Sequence, residues 1–285
     1  MLPRPSTAAA QNAPDQAAPG VAEQDIRIEL PKREPVQARI YGVRVVGGGP
    51  LVLHFHGGTF VCGGLDEGRM VARMLAGSGA VVVSLEYPLA PQSPFPGAIE
   101  VGFDVLEWLF KQRVKLAGKG ARIYLAGEEA GGNLAAAVAL IARDRGHPPL
   151  AGQVLLSPML DPCAGTASLR KATSDDGMCK WAAGWAKYLG RPKDALHPYA
   201  VPGSSLRLGQ LAPTLVLVGS DDAMRDEGLA YAARLREAGN AVTSIVLPDT
   251  GGLAEGQGAS GECPCELTVK QHIRAFFSAA PPPGS

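Results

Sequence analysis

The stretch from Leu125 to Ala142, LAGEEAGGNLAAAVALIA, decides the fold. It begins as a short apolar run of the kind found in buried strands, and it ends in small apolar residues typical of a helix packed closely on a sheet. Gly127 and Gly131 mark a sharp turn between the two, and Glu129 lies at its centre. A strand that turns directly into a helix predicts an α/β protein.

The same alternation continues outward along the chain. Short apolar runs predict strands at 25–30, 36–41, 51–56, 80–86, 121–126, 152–157, 213–219 and 241–247, and helical patterns fall at 66–76, 98–116, 133–145, 225–238 and 267–279. The first two strands alternate like a half-exposed hairpin, whereas the others suit burial on both faces. We therefore expect one α/β domain at 23–280 with an eight-stranded, mostly parallel sheet and helices on both faces. Residues 1–22 form a flexible Ala/Pro-rich tail in this interpretation, and an excursion at about 162–211 forms a reduced lid.

The composition of the chain argues against nucleic-acid and membrane partners. The chain has 285 residues, 46% of them hydrophobic, and its 27 basic and 27 acidic residues give zero formal net charge. Such a chain has no field that favours nucleic acid or anionic lipid. No run approaches the ~20 apolar residues of a membrane helix, and the N-terminus lacks the apolar core of a signal peptide. Five cysteines at irregular spacing do not suggest a disulfide framework. We expect a cytoplasmic protein without nucleic-acid or membrane partners.

Two glycine-rich turns carry the chemistry. Gly127–Gly131 has the spacing of a nucleophile elbow, G-x-S-x-G, in which a strained turn lifts one side chain above the sheet. The first N–H groups of the following helix then point at whatever lies there. His56-Gly57-Gly58 follows another predicted strand, and its N–H groups suit an oxyanion hole. Taken alone, this second motif also fits an ordinary glycine-rich loop.

Five ordered motifs, between about residues 26 and 277, resemble the hormone-sensitive-lipase branch of the α/β-hydrolases. HFHGGTFVCGG (54–64) is similar to the HGGG loop of that esterase/lipase family, and GEEAGGNLAAA (127–137) is similar to GDSAGGNLAAA. The other three are EYPLAPQSPFPGAIEVGFDVLEWL (86–109), LLSPMLDP (155–162) and PTLVLVGSDDAMRDEGLAYAARLREAG (213–239). The resemblance implies the α/β-hydrolase fold, hydrolysis of acyl esters by a Ser-His-Asp triad, and no cofactor.

Part of the family's machinery carries over residue by residue. The resemblance implies oxyanion donors at the backbone N–H groups of Gly57, Gly58 and Ala130. Thr59 stands where the family usually has a third glycine, which adds a Cβ and a hydroxyl. Asp222 matches the triad acid in the resemblance, with neighbouring Asp221 a weaker alternative.

Two triad positions depart from the family. Glu129 occupies the nucleophile position, and the histidine position falls on or near Gly251. No histidine occurs between His197 and His272, so small shifts of the alignment do not supply one. Loss of a triad costs about 10⁶-fold in rate in a serine protease, and ordinary serine-esterase activity is therefore not expected.

Two functions remain open for a chain with these replacements. In the first, it is a non-hydrolytic or ligand-binding homologue with a degenerate triad. The carboxylate of Glu129 then folds back, accepts the oxyanion donors and plugs the site, and the ligand is small and apolar or ester-like. In the second, it is an enzyme of hydrolase or cyclase/lyase type, and Glu129 acts as nucleophile or general acid/base on a small apolar substrate.

Several neighbouring residues have more than one interpretation. Asp222 is either an orphaned triad acid or a carboxylate that stabilises the start of the next helix. His56 more often supports loop geometry than chemistry, and His197 is the best candidate for a substitute base. Cys263 and Cys265 form a Cys-x-Cys pair without a partner pair, so no metal site is expected. Trp181 and Trp185 are spaced for packing along one helix face.

Overall fold

The computed structural model describes residues 21–31, 33–163, 165–173, 180–248 and 264–279. The described strands form an eight-stranded sheet in the order β1-β2-β4-β3-β5-β6-β7-β8. They are β1 (Glu23–Ile28), β2 (Val36–Tyr41), β3 (Pro50–Phe55), β4 (Val81–Leu85), β5 (Arg122–Glu128), β6 (Gly152–Leu156), β7 (Thr214–Gly219) and β8 (Val242–Leu247). The β1–β2 and β2–β4 pairs are antiparallel and the other five are parallel. The expected α/β-hydrolase sheet is confirmed.

Helices cover both faces of this sheet. They are α1 (Arg69–Gly77), α2 (Gly97–Ala117), α3 (Ala130–Arg145), α4 (Ala167–Ala172), α5 (Lys180–Tyr188), α6 (Arg225–Glu237) and α7 (Pro264–Ser278). Buried side chains of α1 and α7 belong to the core on one face, and those of α2, α3, α5 and α6 belong to the core on the other. Burial on both sides explains the nearly continuous apolar sequence of the central strands. Helix α3 begins three residues before the predicted start, because the glycines after Glu129 are already helical.

The excursion at 162–211 contains α4, α5 and two short 3₁₀ helices, Pro192–Leu196 and Pro202–Ser204. Helix α5 packs on the loop that follows β3, where the Phe60 ring lies 4.9 Å from Trp185 and 4.0 Å from Tyr188 between ring centroids. The reduced lid therefore covers the carboxyl end of the sheet, where sites of open α/β sheets lie. Residues 1–20 of the predicted tail lie outside the described residues, and the domain boundaries remain a prediction. Among the described helices, none is long and apolar enough to cross a bilayer.

Glycines allow three backbone segments to meet at the turn between β5 and α3. A Cβ on Gly127 would lie 2.2 Å from the carbonyl oxygen of Gly131, and a Cβ on Gly131 would lie 2.0 Å from that of Phe55. A Cβ on Gly132 would lie 2.8 Å from the Cβ of Pro158, in the loop after β6. All three distances are too short for real atoms, so the glycine-rich sequence is a condition for this packing.

Helix α6 holds the loop after β6 through a buried carboxyl. The Oε2 atom of Glu227 accepts hydrogen bonds from the backbone N–H groups of Leu160 and Asp161, both at 2.5 Å. Burial raises the pKa of Glu227 to about 8. The carboxyl is therefore largely protonated at neutral pH.

Gly131→Ala should destabilise the fold by about 1–3 kcal/mol, because the added methyl group has to displace backbone atoms of the β3 segment. Gly49→Ala is the matched control, since a Cβ there meets only the carbonyl oxygen of Gly79, at an ordinary 3.8 Å. Urea unfolding of both variants gives the comparison. Equal stability of the two would contradict the close approach.

The pH dependence of stability tests the buried carboxyl. The pKa of Glu227 in the folded protein lies above the ordinary value of 4.5, so the folded state binds this proton more tightly. Its contribution is fully present below about pH 4.5 and is lost as the pH rises towards about 8. The stability of wild type relative to Glu227→Gln should therefore fall by several kcal/mol across that range. The exposed Glu237→Gln, on the same helix, should give a curve parallel to wild type in urea unfolding.

Candidate active site

Glu129 lies in a strained backbone conformation at the end of β5. Its φ of 52° and ψ of −117° fall in a region that side-chain-bearing residues rarely adopt. Backbone hydrogen bonds hold the turn on both sides, because its N–H donates to Leu156 at 3.1 Å and its carbonyl accepts from Met159 at 2.9 Å and Gly132 at 3.1 Å. The turn has the geometry that the glycine spacing predicts, with the Glu129 side chain at its apex.

The carboxylate of Glu129 is turned inward and is only 7% exposed. Its Oε2 atom accepts hydrogen bonds from the backbone N–H groups of Gly58 at 2.7 Å and Thr59 at 3.2 Å. Its Oε1 atom accepts a hydrogen bond from the indole N–H of Trp181, on α5, at 2.8 Å. These three donors satisfy both oxygens, and hydrogen bonds to a charged acceptor are stronger than neutral ones. The N–H groups of Gly58 and Thr59, in the loop after β3, are therefore occupied by the protein's own carboxylate.

The set of donors differs from the one implied by the family resemblance. Within the described residues, Gly57 and Ala130 are not donors to the Glu129 carboxylate. The N–H of Gly57 instead donates to Oε1 of Glu128 at 3.1 Å. Gly58 has a φ of 111°, and the chain turns there so that the next N–H, that of Thr59, points at Glu129. Thr59, which stands where the family usually has a third glycine, therefore contacts the turn directly.

A buried polar chain lies beneath this loop, and sequence reasoning predicts its hydrogen-bonded His54 but not the partners Glu128 and Ser84. The Oε2 atom of Glu128 lies 2.7 Å from Nε2 of His54, and Nδ1 of His54 lies 2.9 Å from Oγ of Ser84. All three side chains are buried. The available signal was the position of His54, two residues before His56 on the same strand face. The chain fixes Glu128 and, through it, the N–H of Gly57.

Helix α5 closes directly over the site. A Cβ on Gly184 would lie 2.3 Å from the carbonyl oxygen of Thr59, so the helix backbone touches the loop after β3. Trp181, expected to be a packing residue, is buried and also donates its N–H to Glu129. The partner of this N–H is 52 residues away in sequence. The lid and the turn are therefore joined by a polar contact as well as by packing.

Asp222 is buried, and its hydrogen bonds hold local structure. Its Oδ2 atom accepts a hydrogen bond from the hydroxyl of Ser157, and its Oδ1 atom accepts one from the backbone N–H of Met224 at 2.7 Å. The bond to Met224, just before α6, supports its interpretation as a carboxylate at a helix start. Burial raises the pKa of Asp222. Ser157 has a φ of 43°, so the residue that follows β6 is also strained.

Neither candidate histidine contacts Glu129. The His56 ring is buried and stacks on Tyr87 with 4.2 Å between ring centroids, and its Nδ1 atom lies 2.7 Å from the carbonyl oxygen of Gly57. Burial lowers the pKa of His56, which makes it a neutral support of the loop. His197 is exposed, and its Nδ1 atom accepts a hydrogen bond from the N–H of Tyr199 at 3.1 Å. The structure does not bring it to the turn.

Other predicted positions fall outside the described residues. These are Gly251, Cys263 and the side chain of Cys265. In the described ranges, no three His, Cys, Asp or Glu side chains converge in a way that could hold a metal ion.

Comparisons with known proteins agree with this architecture. Residues 52–251 match the model of a family described as the alpha/beta hydrolase fold. The chain is 34% identical over 217 residues to the carboxylesterase NlhH of Mycobacterium tuberculosis, covering 73% of this chain and 67% of the relative. It is 32% identical over 219 residues to an arylesterase of Saccharolobus solfataricus, covering 75% and 71%. Among solved structures, a hyperthermophilic esterase from Pyrobaculum calidifontis superposes with a TM-score of 0.77 at 33% identity, covering 91% of this chain and 86% of that one.

Glu129→Gln should destabilise the protein by about 1–3 kcal/mol, because its amide NH₂ has to face one of the three donors that the carboxylate now satisfies. Thermal and urea unfolding measure this effect. The exposed Glu237→Gln makes the same chemical change away from the site and should be nearly neutral. Equal effects of the two substitutions would show that the three hydrogen bonds contribute nothing.

Proposed function

The chain belongs to the alpha/beta hydrolase fold family, and from that premise we propose that it is a non-hydrolytic member with a degenerate triad. In this proposal Glu129 replaces the nucleophilic serine, Gly251 stands at the position of the missing histidine, and Asp222 is a remnant of the triad. The protein binds a small apolar or ester-like molecule instead of turning it over. The fold is that of an esterase, and the chemistry of an esterase is absent.

One observation carries this proposal, namely the inward carboxylate of Glu129 with its three hydrogen bonds from Gly58, Thr59 and Trp181. A serine in this turn would expose a hydroxyl to a base and leave the N–H groups of the loop free for a developing oxyanion. Here those N–H groups are occupied before any ligand arrives. A carboxylate whose two oxygens already accept three hydrogen bonds from the protein is also not free to attack a substrate, which counts against the alternative of an enzyme acting through Glu129.

The surroundings of α5 support an apolar ligand. Phe60, Trp185 and Tyr188 stack between the lid and the loop after β3, and Phe95 lies 6.1 Å from Tyr188 between ring centroids. Movement of α5 would open an aromatic surface next to the Glu129 turn. Such a surface suits small apolar or aromatic esters, which gain most from burial of their apolar area.

Hydrolysis of p-nitrophenyl butyrate tests this proposal. We expect wild-type protein and Glu129→Ser alone to show no turnover above background. Glu129→Ser combined with Gly251→His restores a nucleophile and a base to the esterase scaffold and should give measurable turnover. Circular dichroism and the melting temperature verify that each variant is folded.

Glu129→Ala distinguishes a residual activity from a contaminating one. Wild-type turnover that Glu129→Ala abolishes would overturn the proposal and establish Glu129 as a catalytic residue. Turnover by the Glu129→Ser variant without Gly251→His would show that another group replaces the histidine, which also contradicts a triad lost at two positions.

A further inference from the structure

A cavity lies beside α6, outside the hydrogen bonds of the Glu129 carboxylate. Its volume is about 380 Å³, and it is lined by the loop after β6, the two 3₁₀ helices and α6. None of its lining residues hydrogen-bonds to Glu129. Apolar side chains, including Leu160, Leu196 and Val201, form much of its wall. A volume above about 300 Å³ and a mainly apolar wall are typical of small-molecule sites.

Glu227 gives this cavity an oriented polar group, and the Tyr231 hydroxyl, which has no hydrogen-bond partner among the described residues, is another polar group in its wall. The hydrogen bonds that described residues make to its carboxyl, from Leu160 and Asp161, go to Oε2. Glu227 also lines the cavity and is 6% exposed. With two N–H groups on Oε2, the protonated carboxyl carries its hydrogen on Oε1. A neutral hydroxyl in the wall of a mainly apolar space selects a hydrogen-bond acceptor.

The charges around the cavity favour an uncharged ligand. Asp161 lies on the loop after β6, and Arg234 lies on α6, where its guanidinium donates to the carbonyl oxygens of Gly203 and Ser205. Because one wall carries an acidic side chain and the other a basic one, the cavity as a whole prefers neither anions nor cations. The remaining titratable groups are the Cys163 thiol and the Tyr231 hydroxyl, both in the wall, and Asp222, whose charge also acts on Glu227.

We propose that this cavity binds a small, neutral, mainly apolar molecule through a carbonyl oxygen that accepts a hydrogen bond from the Glu227 carboxyl. The site is separate from the Glu129 turn. It gives this chain a ligand contact that requires no opening of α5.

Acetophenone is the probe, because it is small, largely apolar and carries one carbonyl acceptor. Titration into protein with ¹³C-labelled Leu and Val methyl groups should shift the signals of Leu160, Leu196 and Val201. Benzoate and 1-phenylethylammonium have nearly the same shape with opposite charges, and both should bind more weakly. Shifts at these three residues only with a charged probe, or no shifts with acetophenone, would overturn the proposal.

Two exposed alanines on α6 provide a matched pair. Ala230 lines the cavity and Ala233 does not, so Ala230→Phe should weaken acetophenone binding about tenfold or more. Ala233→Phe should leave it unchanged. Equal affinity of the two variants would place the ligand elsewhere.

Glu227→Gln tests the donor itself. Wild-type affinity should fall about tenfold between about pH 6.5 and pH 9.5, as the Glu227 carboxyl loses its proton. An amide keeps a donor and an acceptor in the same place, so Glu227→Gln should bind acetophenone with an affinity that does not change with pH. Parallel pH profiles for the two proteins would contradict the assigned hydrogen bond. No step uses ester hydrolysis, so this outcome is independent of the function proposed for Glu129.

Discussion

The structure depends on the close approach of three backbone segments at the end of β5. Gly127, Gly131 and Gly132 let the turn, the loop after β3 and the loop after β6 touch without side chains between them. Glu129 is held at positive φ by this contact, and its side chain then has a fixed direction, over the end of the sheet. A long, flexible carboxylate in that position folds back and accepts hydrogen bonds from the nearest N–H groups of the protein. The identity of one residue thus decides whether the donors of the neighbouring loop face a ligand or a side chain.

Periodicity and glycine placement were sufficient to predict the sheet. All eight strands lie within a few residues of their predicted positions, since buried parallel strands are nearly continuous apolar runs and the first hairpin alternates. Helix α3 starts before its predicted position. Glycine has a low helix propensity, which moves the predicted start past Gly131 and Gly132, whereas tertiary packing makes both residues helical. The inward turn of Glu129 was weighed as one possibility and could not be decided from the sequence. Its direction depends on Trp181, which lies 52 residues away on a segment without a recognisable motif.

The N–H groups that donate to Glu129 were likewise not predictable from the sequence. Motif matching assigns oxyanion donors by position in the chain, yet which N–H faces the turn depends on φ at Gly58 and on whether Glu128 has already taken the N–H of Gly57. The pairing of Glu128 with His54 is itself long-range, and it involves a glutamate where the family motif has an aspartate. The adjacent Glu128 and Glu129 therefore have different roles: Glu128 hydrogen-bonds to the loop from beneath it, and Glu129 from above it. Residue type predicts that they need partners, but only the fold determines which.

Gly184 determines how closely the lid can approach the loop after β3. Any side chain at this position would collide with Thr59, so the contact between α5 and the loop could arise only where position 184 carried no Cβ. Exchange of Glu129 for serine would leave this contact between α5 and the Thr59 carbonyl in place. The position of the lid therefore has a requirement of its own, a residue without a Cβ at position 184, besides the hydrogen bond between Trp181 and Glu129. A side chain larger than glycine at position 184 would push α5 away from the loop and move the Trp181 indole off Glu129, so one small residue in the lid controls how tightly the turn is covered.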